Sequence, residues 1–115
     1  IEGAVVQAAG YTLLENWKKK NARVLTDRFS TYLIPTVMDI PNETQSVVME
    51  ESDPIGPFGA RGVGEMPYLP FAPGVIEAVY QATGVRFNAF PLTAENVLRG
   101  LGKLSSKPRD FFDYE

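Results

Sequence analysis

Pro54-Ile55-Gly56-Pro57-Phe58-Gly59-Ala60-Arg61-Gly62-Val63-Gly64-Glu65-Met66-Pro67-Tyr68-Leu69-Pro70-Phe71-Ala72-Pro73 divides this sequence into two unlike halves. Proline removes a backbone donor and fixes φ, and glycine carries the largest entropic cost of ordering, so regular structure cannot occupy most of the stretch. A helix is predicted to begin near Pro70 to Pro73, where proline is tolerated in a first turn. It should bury Val75, Ile76, Val79 and Tyr80 and stop at Gly84, a residue suited to a left-handed C-terminal cap. Beyond it, Val85 to Phe90 reads as a strand. Thr93 is placed to cap a short helix carrying Val97, Leu98 and Leu101, with Gly102 ending it. Residues 103–115 read as a polar tail with aromatic anchors.

On the other side, Glu43 to Glu50 encloses the apolar cluster Val47, Val48 and Met49 and reads as a strand. Pro35 and Pro41 punctuate an extended segment. The stretches Asn21 to Asp27 and Ser30 to Leu33, with β-favouring Val24, Thr26, Thr31 and Tyr32, suggest short strands joined by turns. At the start, Ile1, Val5, Val6, Ala9, Leu13, Leu14 and Trp17 recur at spacings that place them on one broad face. Residues 1–18 are therefore read as an amphipathic helix, with Lys18 to Lys20 at the negative end of its dipole. The fold class is α+β: short strands packed with an N-terminal amphipathic helix, a second helix after the Gly/Pro-rich loop, and a short C-terminal helix.

The bulk properties narrow the function. At 115 residues and 44% hydrophobic content there is material for one modest domain. Eleven basic residues against fourteen acidic ones leave a formal charge of -3, which argues against nucleic acid as a partner. Without cysteine or histidine the chain can build no zinc, haem or iron–sulfur site from thiolate or imidazole, and no Cys/His or Ser/His nucleophile. No secretory leader and no run long enough to span a membrane is legible, so a soluble, cytoplasmic protein is expected. The sequence begins at Ile1 and runs straight into a helical pattern, which reads as a piece of a longer protein.

Chemistry should reside in Gly56 to Glu65, where closely spaced glycines let backbone amides approach a ligand. Their spacing is neither the Gly-x-Gly-x-x-Gly dinucleotide fingerprint nor a phosphate-binding P-loop, so a different anionic ligand stays open. Glu65, between Gly64 and a proline-rich turn, could be held in a confined position where desolvation raises its proton affinity, as suits a base. Gln7, beside Ala8, Ala9 and Gly10, could contact a ligand, and Arg61 could meet an anion. Each has an ordinary counterpart that is more frequent: a loop that turns a corner, a surface or helix-entry carboxylate, a solvent-facing amide, an exposed arginine or a structural ion pair. Residue chemistry alone leaves the function open.

Three separated segments resemble one family in the same order. Ile1-Glu2-Gly3-Ala4-Val5-Val6-Gln7-Ala8-Ala9-Gly10-Tyr11 is similar to the helix IEGG-x-x-Q-G-x-G of xanthine dehydrogenase/aldehyde oxidase type hydroxylases. Ser30-Thr31-Tyr32-Leu33-Ile34-Pro35-Thr36 with Asp39-Ile40-Pro41 resembles their Y-x-I-P-T…D-I-P segment, and Gly59-Ala60-Arg61-Gly62-Val63-Gly64-Glu65 their G-A-K-G-V-G-E loop. Ala72-Pro73 and Ala82-Thr83-Gly84-Val85-Arg86 extend the likeness, which covers residues 1–102. Ala8 stands where the family usually has glycine, and Arg61 where lysine is usual.

The resemblance implies the C-terminal portion of a molybdenum-cofactor-binding subunit or domain, incomplete over residues 1–102. Its metal would be held by the dithiolene of a molybdopterin-type cofactor, with no protein side chain as ligand. Glu65 would be the general base in hydroxylation of an aldehyde or N-heterocycle carbon with water-derived oxygen. Gln7 would hydrogen-bond the cofactor, and the amides of Gly62, Val63 and Gly64 would face the pterin. It further implies an upstream molybdenum-binding region or subunit, and iron–sulfur and flavin subunits or domains as partners. The isolated piece is expected to be inactive and to associate with itself. The competing expectation is a non-catalytic remnant or protein-interaction module of the same fold.

Overall fold

A computed structural model describes residues 1–104, so the expected tail lies almost wholly outside the described residues. Helix α1 spans Glu2–Leu13, α2 spans Phe71–Thr83 and α3 spans Ala94–Gly100. The only ladder among the described residues joins β1, Lys19–Lys20, to β2, Arg23–Val24, antiparallel with Lys19 opposite Val24 and Lys20 opposite Arg23. Single 3₁₀ turns occupy Val37–Asp39, Pro57–Gly59 and Met66–Tyr68. The class is α+β as expected, and no helix among the described residues is long and apolar enough to cross a membrane.

Three boundaries follow local chemistry. The chain leaves α2 through Gly84 at φ 72°, a conformation that costs glycine no Cβ clash. Thr93 caps α3, its hydroxyl oxygen accepting from the Asn96 amide at 3.2 Å. Thr36 and Asp39 form a reciprocal capping box around the 37–39 turn. The hydrogen bonds from Thr36, backbone first and then side chain, hold the Asp39 carboxyl below its ordinary range.

Helix α1 departs from expectation in length and in the face it buries. It ends at Leu13, not at residue 18, where the amides of Leu14 and Glu15 both bond the Gly10 carbonyl. Lys18 to Lys20 therefore do not complement its dipole. They lead into the hairpin, which turns at Asn21 (φ 49°) and Ala22 (φ 62°), both in the left-handed region that a two-residue hairpin turn demands. The buried apolar residues are Ala4 and Ala8, one helical turn apart, while Ile1, Leu13 and Trp17 stay exposed. Small side chains let α1 lie close against α2, which contributes buried Ala72, and against the 66–68 turn. Ala8 is fully enclosed, so Ala8→Leu should force the two helices apart and cost about 1–3 kcal/mol. Calorimetry should record this as a lowered thermal midpoint with unchanged helix content at low temperature.

The expected strands at 43–50, 85–90 and 30–33 are not strands. Ser30 to Leu33 is a turn in which the Thr31 and Tyr32 amides bond the Arg28 carbonyl at 2.9 and 2.7 Å. The other two segments run without a ladder because no strand among the described residues pairs with them, and β-propensity yields a strand only where a partner supplies cross-strand bonds. The 85–92 segment is instead fixed by side-chain packing. Phe87 lies where a Cβ on Gly100 of α3 would fall, and the Leu92 amide donates to the Thr12 carbonyl at 2.7 Å. The expected core positions of α2, Val75, Ile76, Val79 and Tyr80, are only half-buried.

Candidate functional site

The Gly/Pro-rich loop owes its shape to hydrogen bonds from Asp53 and Arg61. The Asp53 carboxylate accepts from the amides of Ile55 at 2.9 Å and Gly56 at 3.0 Å, and the Asp53 amide donates to the Gly59 carbonyl at 3.0 Å. A Cβ on Gly56 would fall on the Ala60 carbonyl oxygen, and Gly59 takes φ 78°, so these two glycines serve the turn itself. Arg61 sends Nε to the Glu51 carbonyl at 2.7 Å and Nη2 to the Ser52 carbonyl at 3.2 Å, clamping the returning strand of the loop to its outgoing one. Neither role was read from the sequence. Asp53 two and three residues before Ile55 and Gly56 is the signature of an Asx turn and could have been found, whereas nothing local announces the carbonyls that Arg61 meets.

Gly62 and Gly64 are different. A Cβ on either would meet nothing within 4 Å, and neither adopts positive φ. The backbone amides of Gly62, Val63 and Gly64 have no hydrogen-bond partner among the described residues. Three successive backbone donors are thus left without an acceptor among the described residues, and neither strain nor packing against those residues calls for the two glycines.

Gly62 and Val63, with Ile1, Val48, Met49 and Met66, line a cleft of about 570 Å³ between the loop, the 47–52 segment and the start of α1. Arg61, Glu50 and Glu51 stand among its walls. Gly64, Glu65 and Gln7 do not line it. Glu65 instead begins the 66–68 turn, its carbonyl accepting from the Tyr68 amide at 3.0 Å while its carboxylate caps nothing. The side chain is exposed, so the confinement expected for it is not supplied by this chain. Gln7 is exposed on α1, one turn before Tyr11, whose ring lies 5.8 Å from that of Tyr68. This aromatic contact fixes the helix that carries Gln7 against the turn that follows Glu65. Burial, with smaller contributions from Glu15, Tyr11 and Glu65, pushes the Tyr68 phenol above its ordinary value. Among the described residues no group of three or more His, Cys, Asp or Glu could hold a metal ion.

The model of the molybdopterin cofactor-binding domain family matches residues 1–41. The chain is 32% identical over 107 residues to a probable xanthine dehydrogenase subunit of Bacillus subtilis (strain 168), covering 93% of this chain and 14% of that protein. It is 36% identical over 103 residues to the aldehyde oxidoreductase of Megalodesulfovibrio gigas, covering 88% of this chain and 11% of that one. The crystal structure of quinoline 2-oxidoreductase from Pseudomonas putida 86 superposes with a TM-score of 0.81 at 30% identity, over 90% of this chain and 14% of that chain. The chain thus spans a small fraction of the length of each protein it matches.

Proposed function

We propose that this chain, which belongs to the xanthine dehydrogenase/aldehyde oxidase family of molybdenum-cofactor-binding proteins, forms one wall of the cofactor site of a molybdenum hydroxylase. The observation that carries this reading is the run Gly62-Val63-Gly64, whose amides are unpartnered among the described residues and whose two glycines have no described atom within 4 Å of an added Cβ. Such a run suits a polar, anionic group approaching the backbone closely. In the proposed assignment the amides of Gly62, Val63 and Gly64 donate to the pterin, Gln7 hydrogen-bonds the cofactor from α1, and residues 1–102 form a portion of the cofactor-binding domain. When bound, the cofactor supplies a molybdenum centre that accepts the electrons released as an aldehyde or N-heterocycle carbon is hydroxylated with oxygen from water. The Glu65 carboxylate accepts the proton of the water-derived oxygen nucleophile.

The exposure of Glu65 and of the loop defines what the partners must provide. An upstream molybdenum-binding region or subunit would cover the cleft and exclude water from the carboxylate, and iron–sulfur and flavin parts would carry the electrons away. Alone, the chain would be inactive. Gly64→Val tests the reading with two measurements. In the isolated chain the thermal midpoint should hold, since the added side chain meets no neighbour and the backbone is not left-handed. In the complete enzyme the same change should remove most of the molybdenum, measured by mass spectrometry against protein. Full metal content in the folded variant would rule out cofactor contact at this loop.

A further inference from the structure

At the far end of α1, a second cavity of about 390 Å³ is lined by Tyr11, Glu15, Trp17, Tyr32 and Phe90, among others. The rings come as two pairs, Tyr11 with Phe90 at 5.3 Å and Trp17 edge-on to Tyr32 at 6.0 Å. Glu15, half-buried, lines the same cavity and accepts a 2.6 Å hydrogen bond from the Tyr32 hydroxyl. That bond raises the Tyr32 phenol above its ordinary value, with burial and the Glu15 charge adding to it. Among the described residues no cation lies within ion-pair distance of Glu15. A partly buried carboxylate with no counter-ion among the described residues is costly, and the aromatic rings that line the same cavity carry negative potential over their faces. Lys19 reaches the Trp17 ring at 5.8 Å from its own exposed position, so this indole already serves as a cation acceptor.

We propose that this cavity binds an organic cation, an alkylammonium or guanidinium group, held on the faces of Tyr11, Trp17, Tyr32 and Phe90 with Glu15 as its counter-charge. The rings give a cation its quadrupole attraction and contact area, and the carboxylate gives selectivity over a neutral group of the same shape. None of these residues belongs to the Gly62–Glu65 loop, and α1 is about 18 Å long, so the site stands whether or not the cofactor reading does.

Trp17 is the only tryptophan in the chain, which makes its emission a direct reporter of the cavity. The 115-residue chain, kept dilute, would be titrated with tetramethylammonium chloride, with a blocked peptide carrying a single arginine, and with neutral tert-butanol, at ionic strength held constant with sodium chloride. We expect a saturable change with either cation and only a linear drift with the alcohol. Glu15→Gln retains an acceptor for Tyr32 but removes the charge, and should weaken cation binding by about tenfold. Tyr11→Leu, at an exposed position, should weaken it severalfold and serves if Glu15→Gln does not fold by circular dichroism. A peptide that binds at least tenfold tighter than tetramethylammonium would identify the source as a polypeptide partner, and comparable affinities a free organic cation. An equal response to tert-butanol, no saturation with either cation, or undiminished affinity in the folded variant would overturn the assignment.

Discussion

Glu65→Gln in the complete enzyme is expected to lower turnover by about 10²- to 10⁴-fold, the usual worth of a general base, while molybdenum content stays at the unsubstituted level. The change preserves size and removes the basic oxygen. Its structural cost should be small, because the Glu65 side chain is exposed and makes no capping hydrogen bond to the 66–68 turn. The turn is held by the Glu65 carbonyl, which the substitution leaves in place. The proposed cofactor contacts, the Gly62 to Gly64 amides and the Gln7 side chain, do not depend on the carboxylate. Turnover and metal should be measured on the same preparation. Near-normal turnover with full metal would remove Glu65 from the chemistry and favour a merely solvated carboxylate. Loss of metal together with turnover would contradict the expectation that the carboxylate is dispensable for assembly.

The isolated chain is expected to retain no stoichiometric molybdenum and to associate with itself. Among the described residues the buried apolar side chains are few, Ala4, Ala8, Ala72, Pro91 and Leu92, while Phe29, Met38, Val47, Ile55 and Phe58 are exposed by 84% or more. Exposed apolar side chains in that number need cover, and at roughly 25 cal/mol per Å² a few hundred Å² of contact between copies supplies several kcal/mol before the entropy of association is subtracted. The open cleft beside Gly62 and Val63 offers a cofactor one wall, too little to retain it through purification. Light scattering with mass-spectrometric metal analysis checks both points. A strict monomer at high concentration, or one molybdenum per chain, would show that this chain closes its own surface and site.

The exposed segments also explain where the sequence pattern misleads. Val47, Val48 and Met49 have the propensity of a strand, yet no strand among the described residues pairs with them. Ile1, Leu13 and Trp17 read as one broad apolar face of a helix over residues 1–18, but α1 ends at Leu13, its buried stripe is Ala4 and Ala8, and these large side chains remain exposed. Both errors have one cause: apolar periodicity records what a segment is prepared to bury, whereas burial itself depends on which neighbours are present. The strand expected within Asn21 to Asp27 is present as β2, but its tight turn at Asn21 and Ala22 has no local signature, since the second left-handed position holds alanine where glycine gives the usual signal.

By itself the sequence determined the family, through Ile1 to Tyr11, Ser30 to Pro41 and Gly59 to Glu65, and the boundaries set by single residues, Gly84 ending α2 and Thr93 beginning α3. These rest on backbone chemistry within a turn or two, which sequence encodes directly. Only the tertiary structure decided that Gly56 and Gly59 serve the turn while Gly62 and Gly64 face open space, and that Arg61 spends its guanidinium on the carbonyls of Glu51 and Ser52. It alone gathered Glu15, Tyr32 and Phe90 from three distant segments around one cavity. What a side chain meets across the fold is set by how α1, the 66–68 turn and α2 pack, and no local spacing carries that information.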